Sequence, residues 1–434
     1  MSKKLIIIIS VVLTLTVIIL VGFYILNQNN NSNTGGVAGG FKNFFPFGGN
    51  NTPAPSAPVN NSTTTNPSTS SGQANFTQKL RKLSTEGVAG AGTLDSKAGP
   101  PAPSTGGRAG TVVRYIEKAT GHIFEVELFS PKSSRISNTT IPTVYDALWL
   151  NKNTSLIARY LKADDQTVDT YSLNLKSVST TTPTRKAVGE PTETSVSENT
   201  ISGIAFPGNI NDLSVFGSSV FYLVKNSDSS SGFTANFDGT KKKQIWSSPI
   251  KELLSQYVNL KTVALTTKPA QNIPGFLYFV DTGTGGVKKV LGDILGLSTL
   301  VSLDGNSVLY LEESSSASMS VFDQKNKTYT KITPTTFPEK CAWSNKDKNI
   351  IYCAVPRVFL DGGSLPSWYK GLTSFSDDIW KYNIKNNTSG LVENLSNDAG
   401  QSIDVIKPIL SENEQYLVFM NKTDNTLWSL DLTK

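Results

Sequence analysis

The spacing of Cys341 and Cys353 is the feature of the sequence that most directly predicts a chemical bond. They are the two cysteines of the 434-residue chain, and the polar segment 345–349 lies midway between them. A hairpin that turns at Asp347 would place them opposite each other, with Cβ atoms about 4.5–5.5 Å apart, which is near disulfide range. In an oxidising compartment this geometry favours a disulfide over two separate buried thiols.

A long segment, 356–378, contains the side chains most typical of a binding site. Trp368, Tyr369 and Phe375 lie in it. Trp and Tyr are enriched in binding hot spots and stack on sugars or on peptide side chains. These three residues are therefore candidate ligand contacts, in a lid over one end of a central channel. The alternative is a loop that packs its aromatic side chains against its own strands.

The sequence indicates no metal site, no cofactor site and no familiar catalytic site. It has one histidine, His122, and no catalytic triad, Walker or zinc-protease motif accompanies it. Adjacent acidic residues at 312–313 and at 377–378 are the pairs considered as a glycosidase-like acid/base couple. Neighbouring residues of a strand point to opposite faces, so neither pair forms a natural acid/base couple. An enzyme is therefore less favoured than a binding protein.

A repeated hairpin pattern predicts the elements that position these residues. Between Trp149 and Phe419 a short apolar run ends in a polar turn and is followed by an apolar run containing Tyr or Phe. Clear copies are 213–222, 300–310, 342–352 and 410–419. Such a repeat predicts an all-β fold, a closed β-propeller of about seven four-stranded blades. The fourth unit, with predicted strands at 261–267, 275–280 and 286–291, is the least regular, so six or eight blades remain open.

One feature at each end of the repeats predicts how the ring closes. Outer strands end in similar triplets at 135–137, 331–333 and 394–396, and the same signature occurs at 82–84, before any complete unit. The last unit stops after three strands, at 426–432. We therefore expect residues 78–84 to complete the C-terminal blade and to cover its edge.

The turns resemble those of the TolB-type, WD-like propeller repeats. Residues 302–305, Ser-Leu-Asp-Gly, match the Ser-Pro-Asp-Gly hairpin of these repeats except for the proline, and residues 344–347 and 411–414 match it more loosely. The resemblance covers roughly residues 76–432. It implies an extracytoplasmic binding scaffold, or the non-catalytic propeller of certain peptidases. It assigns no functional residue.

The N-terminal composition predicts a membrane anchor and a linker. Residues 1–4 contain Lys3 and Lys4, and the uncharged run 5–26 is long enough to span a bilayer. The positive charges before it place the N-terminus in the cytoplasm. Residues 27–75 are rich in Asn, Gly, Ser, Thr and Pro and predict a disordered stalk before the propeller at 76–434. A cleaved signal peptide is the alternative to a retained anchor.

Charge and composition narrow the class of partner. The formal net charge of +6 is small for this length, and no nucleic-acid-binding module is present. We therefore expect a single-pass protein of the cell membrane, attached through residues 5–26, with its propeller outside the cytoplasm. Its predicted function is that of a non-enzymatic scaffold for a protein, peptide or envelope polysaccharide. A propeller lyase or hydrolase acting on an envelope polymer is the alternative.

Overall fold

The protein folds into seven sheets that surround one axis. The computed structural model describes residues 78–95, 110–131, 133–137, 139–150, 154–162, 164, 167–177, 199–358 and 364–434. The strands of these ranges form seven four-stranded antiparallel sheets, each a blade of a β-propeller. The prediction of an all-β propeller of about seven blades is confirmed. The predicted anchor and stalk lie outside the described residues, and within the described ranges no helix is long and apolar enough to cross a membrane.

Each blade runs outward from the axis, from its first strand to its fourth. Blade 1 contains β2 (Val88–Asp95), β3 (Thr111–Glu117), β4 (Ile123–Glu127) and β5 (Ser133–Arg135). Blade 2 contains β6 (Val144–Trp149), β7 (Ser155–Leu161), β8 (Val168–Ser177) and β9 (Asn199–Ala205). Blade 3 contains β10 (Ile210–Phe216), β11 (Ser219–Lys225), β12 (Ser230–Asn236) and β13 (Lys243–Ser248). Blade 4 contains β14 (Leu253–Asn259), β15 (Thr262–Thr267), β16 (Pro274–Asp281) and β17 (Val287–Leu295).

The remaining blades follow the same order. Blade 5 contains β18 (Ser298–Val301), β19 (Ser307–Glu313), β20 (Ala317–Asp323) and β21 (Thr328–Lys331). Blade 6 contains β22 (Cys341–Trp343), β23 (Ile350–Pro356), β24 (Asp377–Asn383) and β25 (Thr388–Glu393). Blade 7 contains β26 (Val405–Leu410), β27 (Tyr416–Asn421), β28 (Leu427–Asp431) and β1 (Leu80–Lys82).

The fourth strand of blade 7 comes from the other end of the described chain. In β1, Leu80 lies opposite Leu430 and Lys82 lies opposite Trp428. The backbone N–H of Leu83 donates to the carbonyl of Leu427 at 2.7 Å. This pairing covers the edge that β28 would otherwise expose.

A buried serine explains why the hairpin motif recurs. The hydroxyls of Ser302 and Ser411 accept hydrogen bonds from the backbone N–H groups of Ser307 and Tyr416, at 2.9 and 3.1 Å. Each serine therefore ties the end of a first strand to the start of the second strand. Gly305 completes the turn after Ser302 with a φ of 75°, a conformation that glycine adopts without strain.

Two local expectations from the sequence were wrong or incomplete. Residues 394–396 do not end an outer strand, because Asn394 caps the short helix Leu395–Ala399 by accepting the backbone N–H of Asn397. The first strand of blade 4, β14, was not predicted. Its polar side chains break the apolar pattern, because the Ser255 hydroxyl donates to Ser214 of blade 3 and the Gln256 amide donates to the carbonyl of Val301 in blade 5.

The core lies between the blades. On β15, Val263 and Leu265 pack in the cluster shared with blade 3, whereas Ala264 packs in the cluster shared with blade 5. Both faces of the sheet are covered, so three consecutive residues are buried. The first strands of adjacent blades also contact one another, which fixes the side chains that reach the axis.

Candidate functional site

A cavity of about 370 Å³ lies where the first strands of blades 1, 2, 3 and 7 face one another. We call it the axis cavity. Its apolar wall includes Leu148 and Ile409, and its charged lining residues are Asp146, Arg159, Asp212 and Lys407. A larger groove of about 980 Å³, between residues 140–143 and 158–173, has a mostly apolar lining. The axis cavity is the candidate site because ionisable groups from separate blades converge in it.

β-Bulges determine where the two carboxylates of the axis cavity point. The pairing of β6 with β7 shifts register between Val144 and Asp146, and the pairing of β10 with β11 shifts between Ile210 and Asp212. A bulge inserts one extra residue and redirects the side chains that follow it. Asp146 and Asp212 therefore occupy matching positions in neighbouring blades. Blade 7 has its own register shift, and Lys407 lies within it.

Two cations neutralise Asp146. The Nζ atom of Lys407 lies 2.5 Å from Oδ1 of Asp146, and a guanidinium nitrogen of Arg159 lies 4.0 Å from Oδ2. Lys407 also donates to the carbonyl of Ala89 at 2.9 Å. Burial raises the pKa of Asp146, but the charges of Lys407 and Arg159 outweigh burial, and the pKa lies below its ordinary value. Asp146 is therefore ionised at neutral pH.

Asp212 has a different environment. Its Oδ2 atom accepts the backbone N–H of Ser255 at 2.6 Å, and Asp212 forms no ion pair with another described residue. Burial raises the pKa of Asp212 above its ordinary value, and the hydrogen bonds from Ser255 and the charges of Arg159 and Lys268 offset only part of that effect. The axis cavity thus contains one paired carboxylate and one carboxylate without a counter-charge in contact.

The predicted aromatic contacts lie elsewhere, on the segment between β23 and β24. Trp368 and Tyr369 end helix α1 (Ser364–Tyr369), and Trp368 and Phe375 are buried against Phe337, with ring centroids 5.2 and 5.6 Å from it. Tyr369 is half-buried, and its hydroxyl bonds to Glu339. None of the three predicted residues lines the axis cavity. Their direct contact with a ligand stays a prediction.

A buried charged cluster lies against these aromatic rings. Lys340, Asp377 and Asp404 are fully buried, and Nζ of Lys340 lies 2.5 Å from a carboxylate oxygen of each aspartate. The indole N–H of Trp368 donates to both oxygens of Asp404, at 3.0 and 3.1 Å. Burial raises the pKa of Asp377 to about 6; the charge of Asp404 adds to this effect, and Lys340 opposes it.

The structure joins Cys341 and Cys353 in a disulfide. They are directly opposite partners on β22 and β23, in the register that the hairpin about Asp347 predicts. The disulfide therefore connects the first and second strands of blade 6, immediately after Lys340 in the chain.

The charged residues of both sites were not predicted from the sequence. Asp146 is the third residue of the first strand β6, whereas Lys340 and Asp404 each come immediately before a first strand. A charged residue near the start of the first strand in several repeats was the sequence signal that could have identified these sites. Their partners come from other blades, so no local pattern could pair them. In the described part of the chain, no group of three or more His, Cys, Asp or Glu side chains is arranged to hold a metal ion.

Comparison with known proteins concerns the fold. No protein-family model matches the chain, and no curated protein matches its sequence. Similar solved structures include an oligogalacturonate lyase from Vibrio parahaemolyticus, with 8% identity, a TM-score of 0.48, and coverage of 74% of this chain and 86% of that one. TolB from Acinetobacter baumannii shows 11% identity, a TM-score of 0.37, and coverage of 72% and 60%. The β-propeller domain of the Trilobed protease from Pyrococcus furiosus shows 10% identity, a TM-score of 0.38, and coverage of 62% and 73%. TolB is thus among the similar structures, as the repeats predicted, and at these identities the likeness extends to the fold alone.

The raised pKa of Asp212 predicts a pH-dependent stability. A carboxyl whose pKa is higher in the folded protein than in the unfolded chain, where it is about 3.9, stabilises the fold fully below the unfolded pKa. That contribution is lost as the pH rises through the folded pKa. We therefore expect Asp212→Asn, which keeps an acceptor for Ser255, to increase the free energy of unfolding at neutral pH relative to wild type.

Urea unfolding, followed by tryptophan fluorescence between pH about 4 and about 8, measures this difference. Asp293→Asn is the matched control, because the Asp293 side chain is 75% exposed and its positive φ suits asparagine equally. If the pH profiles of wild type and Asp212→Asn run parallel, the assigned environment of Asp212 is wrong.

Proposed function

We propose that this chain is a membrane-tethered, extracytoplasmic propeller that acts as a non-enzymatic binding scaffold for a protein or peptide. The observation that carries the proposal is the axis cavity, where charged side chains of blades 2, 3 and 7 meet an apolar wall. Binding pockets typically combine a mostly apolar lining with a few placed polar groups. The partner inserts one basic group, a lysine or arginine side chain or an N-terminal amine, into this cavity.

Asp212 is the group that receives the basic end of the ligand. Asp146 already has Lys407 at 2.5 Å, whereas Asp212 has one backbone N–H from Ser255 and no ion pair among the described residues. An approaching cation favours the ionised form of a buried carboxyl, so binding and ionisation of Asp212 support each other. The methylene groups of a lysine side chain would pack against Leu148 and Ile409 while the ammonium group reaches the carboxylate.

The size of the cavity favours a peptide over a polymer. About 370 Å³ lies at the lower end of the range of about 300–1,000 Å³ that small-molecule pockets span. Such a volume suits one side chain or chain terminus better than several sugar units. An envelope polysaccharide is the other class of ligand, and a neutral sugar would leave Asp212 without a counter-charge.

The sequence supports the proposed location. The uncharged run 5–26 follows Lys3 and Lys4, and the stalk 27–75 separates it from the propeller. A retained anchor with a cytoplasmic N-terminus holds the propeller close to the extracytoplasmic face of the membrane that it spans. Tethering raises its effective concentration there, so a site of modest affinity is sufficient.

A second candidate function has one observation in its favour. Asp146 and Asp212 line the same cavity, and their pKa values are displaced in opposite directions. Two carboxyls separated in this way are the usual arrangement of a general acid and a general base. In a lyase or hydrolase acting on an envelope polymer, Asp212 would donate the proton and Asp146 would remain ionised.

Binding of an oligolysine peptide tests the proposed site. We expect isothermal titration calorimetry to show binding to the wild-type propeller, and about a tenfold or greater loss of affinity in Asp212→Asn, because a charge-assisted hydrogen bond contributes about 1.5–3 kcal/mol. Asp293→Asn should bind as wild type does, and an oligoglutamate peptide should not bind.

Equal affinity of wild type and Asp212→Asn for oligolysine would refute the site. Cleavage of envelope polymers that is lost in Asp212→Asn would instead support the enzyme.

Membrane fractionation tests the tether. We expect the full chain in the membrane fraction, resistant to alkaline extraction, with its propeller degraded when protease is added to cells without an outer barrier. Deletion of residues 5–26 removes the apolar run and should leave the protein outside the membrane fraction. Recovery of the wild-type protein in the medium, shortened at its N-terminus, would mean that the segment is a cleaved signal peptide.

A further inference from the structure

One lysine and two aspartates form a sealed group that the proposed function does not use. We call Lys340, Asp377 and Asp404 the Lys340 cluster. Their side chains have no accessible surface, and Nζ of Lys340 is 2.5 Å from Oδ2 of Asp377 and 2.5 Å from Oδ1 of Asp404. The cluster brings together the short 3₁₀ helix Pro338–Lys340, the start of β24 and the residue before β26. None of its members lines the axis cavity.

We propose that Lys340 and Asp377 become joined by an intramolecular isopeptide bond between Nζ and Cγ, and that Asp404 acts as the proton shuttle. An amine held against a carboxyl group, with a second carboxyl in contact and water excluded, has the three parts that such a condensation requires. The inference does not depend on what the axis cavity binds.

The hydrogen bonds distinguish the two aspartates. Asp404 accepts N–H groups from Trp368 and from the backbone of Phe375, at 3.0–3.1 Å, in addition to the contact with Lys340. These donors hold both oxygens of Asp404 in place beside the amine of Lys340, which is the position that a proton shuttle requires. In Asp377, Oδ2 accepts the backbone N–H of Val405 at 2.7 Å, whereas Oδ1 has no hydrogen-bond partner in the described structure. Asp377 is therefore the carboxyl that reacts, and Oδ1 is the oxygen that leaves.

The condensation balances without another reactant. The Lys340 ammonium gives one proton, through Asp404, to the Asp377 carboxylate, which leaves a neutral amine and a neutral acid. The Nζ lone pair then attacks Cγ, and the negative charge that develops on Oδ2 is stabilised by the Val405 N–H. Nζ passes a second proton to Asp404, which transfers it to the leaving hydroxyl at Oδ1. The products are an amide, one water molecule and an ionised Asp404.

The surroundings favour the amide over the ion pair. The ring centroids of Trp368 and Phe375 lie 5.0 and 5.3 Å from Nζ, so little water reaches the amine. A dry site disfavours charged groups, and the reaction removes one buried cation and one buried anion. The remaining Asp404 carboxylate keeps its N–H donors and interacts electrostatically with Lys422.

The bond would give blade 6 a second covalent link. The disulfide already joins β22 to β23 through Cys341, the residue after Lys340. An amide from Lys340 to Asp377 would join the segment before β22 to β24 as well. Three consecutive strands of one blade would then be linked covalently, and the amide part of that link would survive reducing conditions.

Mass spectrometry of the full wild-type chain tests the proposal. After reduction of the disulfide, we expect an intact mass lower by one water molecule than the sequence mass. Trypsin should no longer cleave after Lys340, and fragmentation should identify one branched peptide that joins Lys340 to Asp377. The wild-type measurement needs no variant, so it is decisive even if variants fold poorly.

Substitutions in the Lys340 cluster test which side chains take part in the condensation. Lys340→Arg and Asp404→Asn should both restore the full mass, the first by removing the nucleophile and the second by removing the shuttle. Lys407→Arg is the matched control: Lys407 also contacts an aspartate at 2.5 Å, but its side chain is 23% exposed, and we expect the mass loss to persist.

A full mass in wild-type protein that has been kept folded at neutral pH would overturn the proposal. Loss of water with only linear peptides would overturn it too, because a succinimide at an Asp-Gly pair such as Asp304-Gly305 gives the same mass.

Discussion

The backbone N–H groups of the first strands are the constraint on which the rest of this propeller depends. At the axis these strands lie side by side in separate sheets, so their inward backbone groups have no neighbouring strand to bond, yet buried polar groups must be paired. Side chains from the preceding or following blade supply the missing partners. Asp212 accepts the N–H of Ser255, and Asp377 accepts the N–H of Val405. Gln256 bonds both polar groups of Val301, at 2.8 Å each.

Asp212 and Asp377 make the same kind of bond between blades in different surroundings. This difference underlies both the proposed binding site and the proposed cross-link. Asp212 opens on the axis cavity, where a ligand can bring the cation that the fold does not place against it. Asp377 is fully buried with Lys340 already in contact, and the rings of Trp368 and Phe375 lie against that lysine. A carboxyl that bonds to the next blade is thus suited to ligand binding where it lines a cavity, and to cross-linking where it is fully buried beside a lysine. The aromatic segment contributes by excluding water from Lys340.

The sequence predicted the architecture because the turns are local. The turn residues of each hairpin act within a few residues, so the repeat, a count of about seven blades and the register of Cys341 with Cys353 could be predicted from spacing. The charged sites could not be predicted in this way. Asp146 meets Lys407 across more than half of the chain, and Lys340 meets Asp404 across blade 6. These contacts exist only after the blades are arranged in a ring. Strand β14 was not predicted because its polar residues form hydrogen bonds with neighbouring blades, and these bonds also exist only in the assembled ring.

Hydrogen exchange at two backbone amides tests most directly the claim that single carboxylates connect adjacent blades. In wild-type protein the amides of Ser255 and Val405 should exchange as slowly as those of central strands, because each is bonded to a buried side chain. In Asp212→Ala, the account predicts fast exchange at Ser255 with unchanged protection at Val405. Equal protection of Ser255 in both proteins would contradict it, and would mean that the packing of the first strands, rather than the carboxylate, holds these blades together.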